Sequence, residues 1–368
     1  MSIEKKSISF IDLKHQQEII KASIDENISR VMSHGKYILG PEVYELEEKL
    51  AEFVGVNYCI GVSSGTDALL LALMALGIKR NDEVITTSFS FIAAAETIAL
   101  LGAKPVFVDI DSRTFNIDPK KIENAITSDT KAIVAVNLFG QCADYYEINK
   151  IANRNGIPVI EDAAQSLGAA YKGQKSCALT TVGCTSFFPS KPLGGYGDGG
   201  ACFCNDENLA KIIKQLRVHG QSKRYHHSII GTNSRLDTLQ AAILLAKLEL
   251  FPSEIEARIN IGQYYTEAIK NRAPHILPPF VSEHNLSVYA QYSILTKERE
   301  RYIELLHNSN IPTAIHYPLP LHKQDAFNAT EDKLPISESI SKNIISIPMH
   351  PYLTPNEQDF VIDHLAND

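Results

Sequence analysis

Short apolar runs alternate with helix-like stretches through most of the first 215 residues, and this alternation constrains the fold more than any other feature. The apolar runs lie at residues 59–62, 83–86, 105–108, 132–136, 158–160, 184–188 and 201–204. Helical patterns occupy residues 67–76, 93–101, 119–125, 145–155 and 207–215. Strands that alternate with helices predict an α/β domain with a mixed, mostly parallel sheet.

The pattern changes near residue 250, which predicts a second domain. We expect a large domain over residues 1–250, with an N-terminal helix at 14–33, and a smaller α+β domain over residues 251–368. Pro252 is expected to follow one helix and precede another. The elements predicted around and after it are helices at 236–250, 254–268, 298–306 and 356–365 and strands at 288–295, 311–315 and 345–347.

Composition and charge exclude several classes of function. The chain has 35 Lys+Arg against 43 Asp+Glu, a formal net charge of −8, so no basic field favours nucleic acid. The first residues lack the apolar segment of a signal peptide, and no apolar run approaches the roughly 20 residues of a membrane span. The cysteines form no C-x-x-C pair, and the histidines lack the H-E-x-x-H spacing. We therefore expect a cytoplasmic protein with reduced thiols and without a nucleic-acid, membrane or metal partner.

Two side chains with strong chemistry follow two of the predicted strands. Asp162 comes after the apolar run at 157–160, and Lys191 lies in a glycine-rich loop after the run at 184–188. Ligands of open α/β sheets gather at the carboxyl ends of strands. A lysine that forms a Schiff base and a carboxylate that keeps a pyridine nitrogen protonated are what a pyridoxal phosphate (PLP) enzyme needs. The pair therefore favours a PLP site.

Simpler interpretations of these residues stay open at this point. Asp162 could cap the helix that follows it, and Glu161 could be the functional acid instead, because successive strand residues face opposite sides of a sheet. Lys191 could be an exposed lysine in a loop. Phe89 and Phe91 fall on one face if the extended alternation continues past their strand, and either could stack on a flat ring. We interpret Phe89 as a core residue.

A glycine-containing turn before a helix predicts an anion site. Gly65 and Thr66 join a strand to a helix, so that backbone N–H groups and a hydroxyl can approach an anion at the helix N-terminus. Ser64 or Thr66 could instead be an ordinary N-cap. Because Ser186 and Lys191 supply complementary chemistry elsewhere, we interpret the turn as part of a phosphate cup.

Several spaced motifs resemble one known family, the DegT/StrS-type nucleotide-sugar aminotransferases. The resemblance runs in order from about Ile11 to Leu353, which is nearly the whole chain. It rests on Ser64-Gly65-Thr66-Asp67-Ala68-Leu69, Asn81-Asp82-Glu83-Val84-Ile85, Glu161-Asp162-Ala163-Ala164-Gln165, Ser186-Phe187-x-x-x-Lys191 and Gly231-x-Asn233-x-Arg235. It implies the aspartate-aminotransferase-like PLP fold (fold type I), with a smaller C-terminal domain.

The resemblance also implies a role for each residue that matches a motif. Lys191 would form the Schiff base with PLP, and Asp162 would pair with the pyridine nitrogen. Gln165 would contact the ring oxygen, and Phe91 occupies the position of the aromatic residue that stacks on the ring. The phosphate would be held by Gly65, Thr66 and Ser186.

A further part of the resemblance concerns the substrate and a second subunit. Asn233 is similar to the residue that reaches the phosphate from the other subunit, which implies a homodimer with shared active sites. Two positions depart from many relatives, which have threonine at Ala94 and glutamate at Asp198; neither departure touches the core chemistry. The residues implied as substrate contacts are Tyr225, Arg235, His316 and Tyr317.

The activity that the resemblance implies is transamination, because Lys191 is intact where some relatives carry histidine and become dehydratases. The segments Ser186-Phe187-Phe188-Pro189-Ser190-Lys191-Pro192-Leu193, Arg224-Tyr225-His226-His227 and Ala314-Ile315-His316-Tyr317-Pro318 carry a finer resemblance. It is to bacterial enzymes that aminate C-3 of UDP-2-acetamido-2-deoxy-3-oxo-glucuronate in the synthesis of surface-polysaccharide (lipopolysaccharide, O-antigen) precursors. We therefore expect a UDP-linked keto sugar as acceptor and L-glutamate as amino donor. The alternatives are amination at C-4, a dTDP-linked keto sugar, or a PLP-binding regulator without turnover.

Overall fold

The computed structural model describes residues 8–327 and 333–366. Its helices are α1 (Leu13–His34), α2 (Pro41–Val54), α3 (Gly65–Ala75), α4 (Ala93–Leu100), α5 (Pro119–Ala125), α6 (Tyr145–Asn155), α7 (Glu207–Leu216), α8 (Thr238–Arg272), α9 (Arg299–Asn308), α10 (Pro335–Asn343) and α11 (Pro355–Ala366). Short 3-10 turns occupy Leu138–Gly140, Leu321–Lys323 and Asp325–Phe327.

The strands divide into one large sheet and several small ones. The large sheet contains β1 (Tyr58–Val62), β2 (Glu83–Thr87), β3 (Lys104–Val108), β4 (Thr130–Val136), β5 (Val159–Asp162), β8 (Val182–Ser186) and β9 (Gly200–Cys204). The smaller sheets are built from β6 (Ala170–Tyr171), β7 (Gln174–Lys175), β10 (Gln221–Lys223), β11 (His226–His227), β12 (Asn285–Leu286), β13 (Tyr292–Leu295) and β14 (Ile344–Ile347).

The large sheet has the order β1-β9-β8-β5-β4-β2-β3. Neighbouring strands from β8 to β3 are parallel, whereas β9 is antiparallel to both β1 and β8. Because β9 reverses direction between them, β1 and β8 run the same way and end at the same edge. This topology confirms the predicted mixed, mostly parallel sheet.

Strand β4 shows why the sheet lies in the middle of its domain. Residues 132–136 are all buried. Val134 and Val136 join the apolar cluster on one face, while Ile133 and Ala135 join the cluster on the other. A strand covered on both faces gives a continuous apolar run, as parallel sheets usually do.

The C-terminal part has an apolar core of its own. Strands β13 and β14 pair antiparallel, and helices α9 and α11 pack with them. Ile261, Tyr265 and Ile269 of α8 belong to this cluster. Helix α8 leads into this core and begins at Thr238, before the predicted boundary at about residue 250. The division of the chain at that residue therefore stays a prediction.

The predicted break at Pro252 is wrong, because α8 runs without interruption from Thr238 to Arg272 with the proline inside it. An internal proline removes one backbone hydrogen bond and costs about 3 kcal/mol. Packing offsets this cost on both sides of the proline. Phe251 is buried in the core beside the large sheet, and Tyr265 is buried in the C-terminal core.

Two predicted strands of the C-terminal part are also corrected. The strand predicted at 288–295 begins at Tyr292, because Tyr289 has a φ of 44°, which interrupts the extended backbone. The segment 311–315 is not a strand and makes a single bridge from Ala314 to Ser346. Pro312 lacks the N–H group that a strand ladder requires.

The predicted chemistry falls on one edge of the large sheet. Strand β5 ends at Asp162, β8 ends at Ser186, and β1 leads into Gly65 at the start of α3. The loop after β8 carries Lys191. The fold therefore brings the ends of these strands together, as the alternation pattern predicted.

Candidate active site

Asp162 and Glu161, the two candidate acids of β5, have different surroundings. Both are buried, with 6% and 0% of their surfaces exposed. Asp162 accepts one hydrogen bond, from the N–H of Ala164 at 3.1 Å, and its charge interacts with Lys191. Burial raises the pKa of the Asp162 carboxyl, and the Ala164 N–H and the Lys191 charge oppose that rise. Asp162 is thus the acid on the lysine side of the strand.

The Glu161 carboxylate is fully engaged within the protein. It accepts hydrogen bonds from Asn137 Nδ2 at 2.7 Å, from Ser176 Oγ at 2.7 Å and from the N–H of Cys177 at 2.8 Å. Burial raises its pKa, and these hydrogen bonds oppose the rise. These three bonds go to Oε1, and Oε2 accepts from the Leu179 N–H at 3.3 Å, so Glu161 is held by the protein itself and has a structural role.

Lys191 lies in a tight loop that requires glycine. Its N–H donates to the Phe188 carbonyl at 2.9 Å, and a β-carbon on Gly194 would lie 2.4 Å from the Pro189 oxygen. The Lys191 Nζ has neither a hydrogen-bond partner nor a carboxylate within ion-pair distance among residues 8–327 and 333–366. Burial lowers the pKa of this amine, and the Asp162 charge opposes the shift. A buried amine with a lowered pKa is suited to nucleophilic chemistry.

Gly65 and Ser186 are in direct contact, as the predicted phosphate cup requires. A β-carbon on Gly65 would lie 2.6 Å from the Ser186 Cβ, so no larger residue fits. Ser64 caps α3 by accepting from the Asp67 N–H at 3.0 Å. Within the described residues, the N–H groups of Gly65 and Thr66 have no acceptor. They are free to bind an anion at the helix N-terminus.

Gln165 connects the strand ends to Tyr317. Its Oε1 accepts from the Phe139 N–H at 2.6 Å, and its Nε2 donates to the Tyr317 hydroxyl at 3.2 Å. Burial raises the pKa of the Tyr317 phenol, so the hydroxyl stays protonated at neutral pH. Accepting at the oxygen orients the Gln165 amide with its N–H₂ group toward Tyr317.

The two phenylalanines after β2 both lie near the ring of Tyr317. Phe89 is fully buried and Phe91 is 54% exposed, and each ring centroid is 6.3 Å from that of Tyr317. Phe89 is therefore a core residue, as expected. The exposed face of Phe91 is open to a planar ligand.

Two of the predicted substrate contacts differ in position. His316 lies near Lys191, whereas Tyr225 does not contact the other predicted site residues. His316 Nδ1 is 2.9 Å from the Ser346 hydroxyl, and burial together with the Lys191 charge lowers the pKa of its ring. Tyr225 is 79% exposed in the turn between β10 and β11, where the Arg224 guanidinium lies over its ring.

The segment around Asn233 runs beside the anion site. The Ser63 N–H donates to the Ser234 carbonyl at 3.1 Å, and Arg235 forms a backbone bridge with Val62. Asn233 itself is exposed, and Arg235 is partly buried without a carboxylate partner in the described chain. A single chain thus brings this backbone close to the cup but leaves the Asn233 side chain on the surface.

Asn137 is a residue that the motifs did not predict. Its N–H donates to the Asp162 carbonyl at 2.9 Å, and its Oδ1 accepts from the Tyr145 hydroxyl at 2.8 Å. Together with its bond to Glu161, these contacts fix the end of β4 against the end of β5. The sequence signal for it was a polar residue directly after the apolar run at 132–136.

This set of groups fits PLP. Free backbone N–H groups and the Ser186 hydroxyl suit a phosphate, the amine of Lys191 suits an aldehyde, and the buried carboxylate of Asp162 suits a pyridine nitrogen. The described residues contain no group of three or more His, Cys, Asp or Glu that could hold a metal ion. None of the described helices is long and apolar enough to cross a bilayer.

A family model and a curated relative match almost the whole chain. The model of the DegT/DnrJ/EryC1/StrS aminotransferase family matches residues 18–366. The UDP-2-acetamido-2-deoxy-3-oxo-D-glucuronate aminotransferase of Pseudomonas aeruginosa is 58% identical over 98% of this chain and 100% of its own length.

Two further relatives extend this comparison. A protein of Geobacillus stearothermophilus named "Pleiotropic regulatory protein" is 42% identical over 98% of this chain and 98% of its own length. The crystal structure of S. venezuelae DesV in complex with a ketimine intermediate has a TM-score of 0.95, with 36% identity over 98% of each chain. The fold is therefore that of these aminotransferases.

Proposed function

Because this chain belongs to the DegT/DnrJ/EryC1/StrS aminotransferase family, we propose that it aminates the 3-keto group of a UDP-linked 2-acetamido sugar. The proposed acceptor is UDP-2-acetamido-2-deoxy-3-oxo-D-glucuronate, and the proposed donor is L-glutamate, which leaves as 2-oxoglutarate. The product would be a precursor of a bacterial surface polysaccharide. The observation that carries the chemistry is the buried Asp162–Lys191 pair at one edge of the sheet.

The sugar is proposed from the comparison with the Pseudomonas aeruginosa enzyme. That enzyme is named for this acceptor and is 58% identical over nearly the full length of both chains. A uronate acceptor carries a carboxylate, which requires a cation or hydrogen-bond donors. Arg235, which has no carboxylate partner in the described chain, and His316 are the proposed groups.

The cofactor of this aminotransferase family is PLP. PLP supplies an aldehyde that condenses with amines and a ring that stabilises negative charge at the adjacent carbon. We propose that Lys191 anchors the aldehyde carbon and that Asp162 keeps the ring nitrogen protonated. Phe91 and Gln165 would orient the ring, and the phosphate would be bound by Gly65, Thr66 and Ser186.

Lys191 is proposed to act again after the amino donor has displaced it. Its Nζ would then accept the proton from the donor carbon that bears the amino group. It would deliver a proton to the cofactor carbon that receives this group. The buried environment favours the neutral amine, which is the form that accepts a proton. Asp162 is buried and close to this amine, so its negative charge would offset the positive charge of the protonated Lys191.

A homodimer with shared active sites is also proposed. The side chain of Asn233 is exposed in one chain although its backbone lies beside the anion site. Large apolar side chains are exposed nearby, with Tyr225 at 79% and Ile230 at 87% exposure. A second copy that covers this surface would bring an Asn233 side chain to the phosphate of its neighbour. We propose a cytoplasmic location because all six cysteines are free and buried.

The test is a two-stage assay on the PLP-loaded protein. L-glutamate alone should convert the cofactor spectrum to that of the aminated form, and the 3-keto UDP-sugar should restore it with formation of the 3-amino sugar. A panel that includes 4-keto and dTDP-linked sugars distinguishes the enzyme alternatives. Turnover of those sugars without turnover of the 3-keto UDP-sugar would overturn the proposed acceptor.

A regulatory role is the second candidate, because one relative at 42% identity is named a pleiotropic regulatory protein. A regulator without turnover would bind PLP and show no spectral conversion with any amino donor. The same first stage of the assay therefore separates the two functions.

A further inference from the structure

Asp109, in the loop after β3, holds the first turn of the distant helix α10. Its Oδ1 accepts from the Ser337 N–H at 2.9 Å and from the Ser337 hydroxyl at 2.6 Å, and its Oδ2 accepts from the Ile336 N–H at 3.0 Å. Residue Leu334, at the N-cap position of α10, makes no side-chain cap. A carboxylate 228 positions earlier in the chain therefore performs the capping that satisfies the helix start.

The Asp109–Ser337 contact is buried, although Asp109 Oδ2 is also 3.4 Å from the Nζ of the partly exposed Lys121. Asp109 is 2% exposed, and Ser337 and Ser88 are 0% exposed. The Ser337 hydroxyl is also 2.5 Å from the Ser88 hydroxyl, which directly follows β2. Hydrogen bonds to a charged group that is removed from water are stronger than exposed ones, so the cap fixes α10 against the ends of β2 and β3.

The start of α10 is linked to one end of the segment that carries His316 and Tyr317. The Ser88 carbonyl accepts from the Leu321 N–H at 2.7 Å. Leu321 begins the 3-10 turn that follows this segment. Ser88 thus contacts both the capped helix and the downstream end of the segment.

The other end of that segment is held by the strand that follows α10. Helix α10 ends at Asn343, and β14 begins at the next residue. Ala314 pairs with Ser346 through backbone bonds in both directions, and His316 Nδ1 is 2.9 Å from the Ser346 hydroxyl. Residues 314–321 are therefore held at one end by Ser88, which contacts α10. They are held at the other end by β14, which directly follows α10.

We propose that Asp109 is a positioning residue that, by capping α10 from the large sheet, sets where His316 and Tyr317 stand in the active site. The inference rests on the proposed function for its meaning in catalysis. Asp109 touches neither of the two side chains and acts through Ser337, Ser88 and β14. Loss of the cap should loosen the segment that carries His316 and Tyr317, the proposed contacts of the sugar, and should leave the strand end that carries Asp162 in place.

The experiment uses Asp109→Asn in the PLP-loaded full-length protein, because asparagine keeps the shape and can accept at one oxygen instead of two. Hydrogen exchange of peptides covering 314–322 should accelerate about threefold to tenfold. The KM for the keto sugar should rise by a similar factor and by more than the KM for L-glutamate, because His316 and Tyr317 are proposed contacts of the sugar. Asp206→Asn is the matched control, because Asp206 caps α7 locally with one bond to the Leu209 N–H.

A second variant keeps the test decisive if Asp109→Asn fails to fold. Ser337→Ala removes the hydroxyl that joins Asp109 to Ser88 and keeps the backbone bonds, so the same changes should occur with smaller size. Unchanged exchange at 314–322 in a folded variant would overturn the proposal, as would an equal change in Asp206→Asn. Hydrogen exchange does not depend on turnover, so it decides the matter even if the parent protein fails to aminate the 3-keto UDP-sugar.

Discussion

Glu161 and Asp162 are adjacent in β5, yet their carboxylates have opposite surroundings. The Glu161 carboxylate is saturated by donors from Asn137, Ser176 and Cys177, whereas the Asp162 carboxylate accepts one backbone N–H and interacts with the charge of Lys191. The two side chains have the same chemistry and face opposite sides of the strand. The side that each one faces therefore determines its surroundings.

The first prediction separates those two roles. Asp162→Asn should lower kcat by at least about 10²-fold with little loss of stability, since its carboxylate is proposed to pair with the ring nitrogen of the cofactor. Glu161→Gln should keep kcat within about tenfold and should lower the free energy of unfolding by roughly 1–3 kcal/mol, because one acceptor oxygen is replaced by a donor. Steady-state kinetics and chemical denaturation measure both variants. Equal loss of kcat in the two would contradict the assignment.

The second prediction concerns the pH at which Lys191 reacts. Burial lowers the pKa of the amine and the Asp162 charge opposes that shift, so removing the charge in Asp162→Asn should lower the pKa further. The neutral, reactive amine is the form present above the pKa. In cofactor-free protein, the midpoint for amine labelling at Lys191 should therefore move to lower pH in the variant. A midpoint that moves upward would show that the two groups do not interact in this way.

The third prediction concerns replacement of the lysine itself. Lys191→Ala should abolish the absorbance of covalently attached PLP and lower turnover by at least about 10³-fold, because both the attachment and the proton transfer are lost. Phosphate contacts should persist, so PLP should still be retained on the protein. Lys247→Ala, which removes a different buried lysine, is the comparison variant. Full activity of Lys191→Ala would refute the proposed chemistry.

The fourth prediction concerns the contact between Gly65 and Ser186. Gly65→Ala places a β-carbon 2.6 Å from the Ser186 Cβ, which should cost roughly 1–3 kcal/mol and weaken PLP binding. Adding Ser186→Gly removes the clashing atom. The double variant should recover thermal stability without recovering full PLP affinity, because the Ser186 hydroxyl is also gone. Thermal denaturation of the cofactor-free proteins and PLP titration measure the two effects separately.

The fifth prediction tests the shared site. Neither Lys191→Ala nor Asn233→Asp should be active alone, because an aspartate at position 233 would repel the phosphate. Purified mixed dimers should regain about half of the parental activity per dimer if each site takes Lys191 from one chain and Asn233 from the other, because one of their two sites then contains both intact residues. No recovery in dimers that are shown to be mixed would place both residues in one chain.

Residues at strand ends were the part of the site that the sequence could predict. The apolar runs locate the ends of β1, β5 and β8, and a glycine turn, an aspartate and a lysine beside those ends give the chemistry directly. Alternation alone left the choice between Glu161 and Asp162 open, because it states that the two faces differ without stating which face meets the ligand. The family resemblance implied Asp162, and the structure adds that the Glu161 carboxylate is occupied by other donors.

Contacts between distant segments could not be predicted in the same way. Asp109 and Ser337 are 228 positions apart, and an aspartate after a strand looks the same in sequence whether it caps its own loop or another helix. The prediction of a break at Pro252 was wrong because the local cost of a proline is visible in the sequence. The packing of Phe251 and Tyr265 that offsets this cost is not visible there. Local rules fail here because tertiary contacts contribute the larger free energy.

The uninterrupted course of α8 has a practical consequence for dividing this protein. At about 1.5 Å per residue its 35 residues extend about 50 Å and reach both cores. A truncated protein that ends at residue 250 would be cut within the helix and would lose Phe251 from the core beside the large sheet. Fusions, truncations and inserted reporters should therefore avoid the middle of α8, where each added residue would also rotate one end of the helix against the other by about 100°.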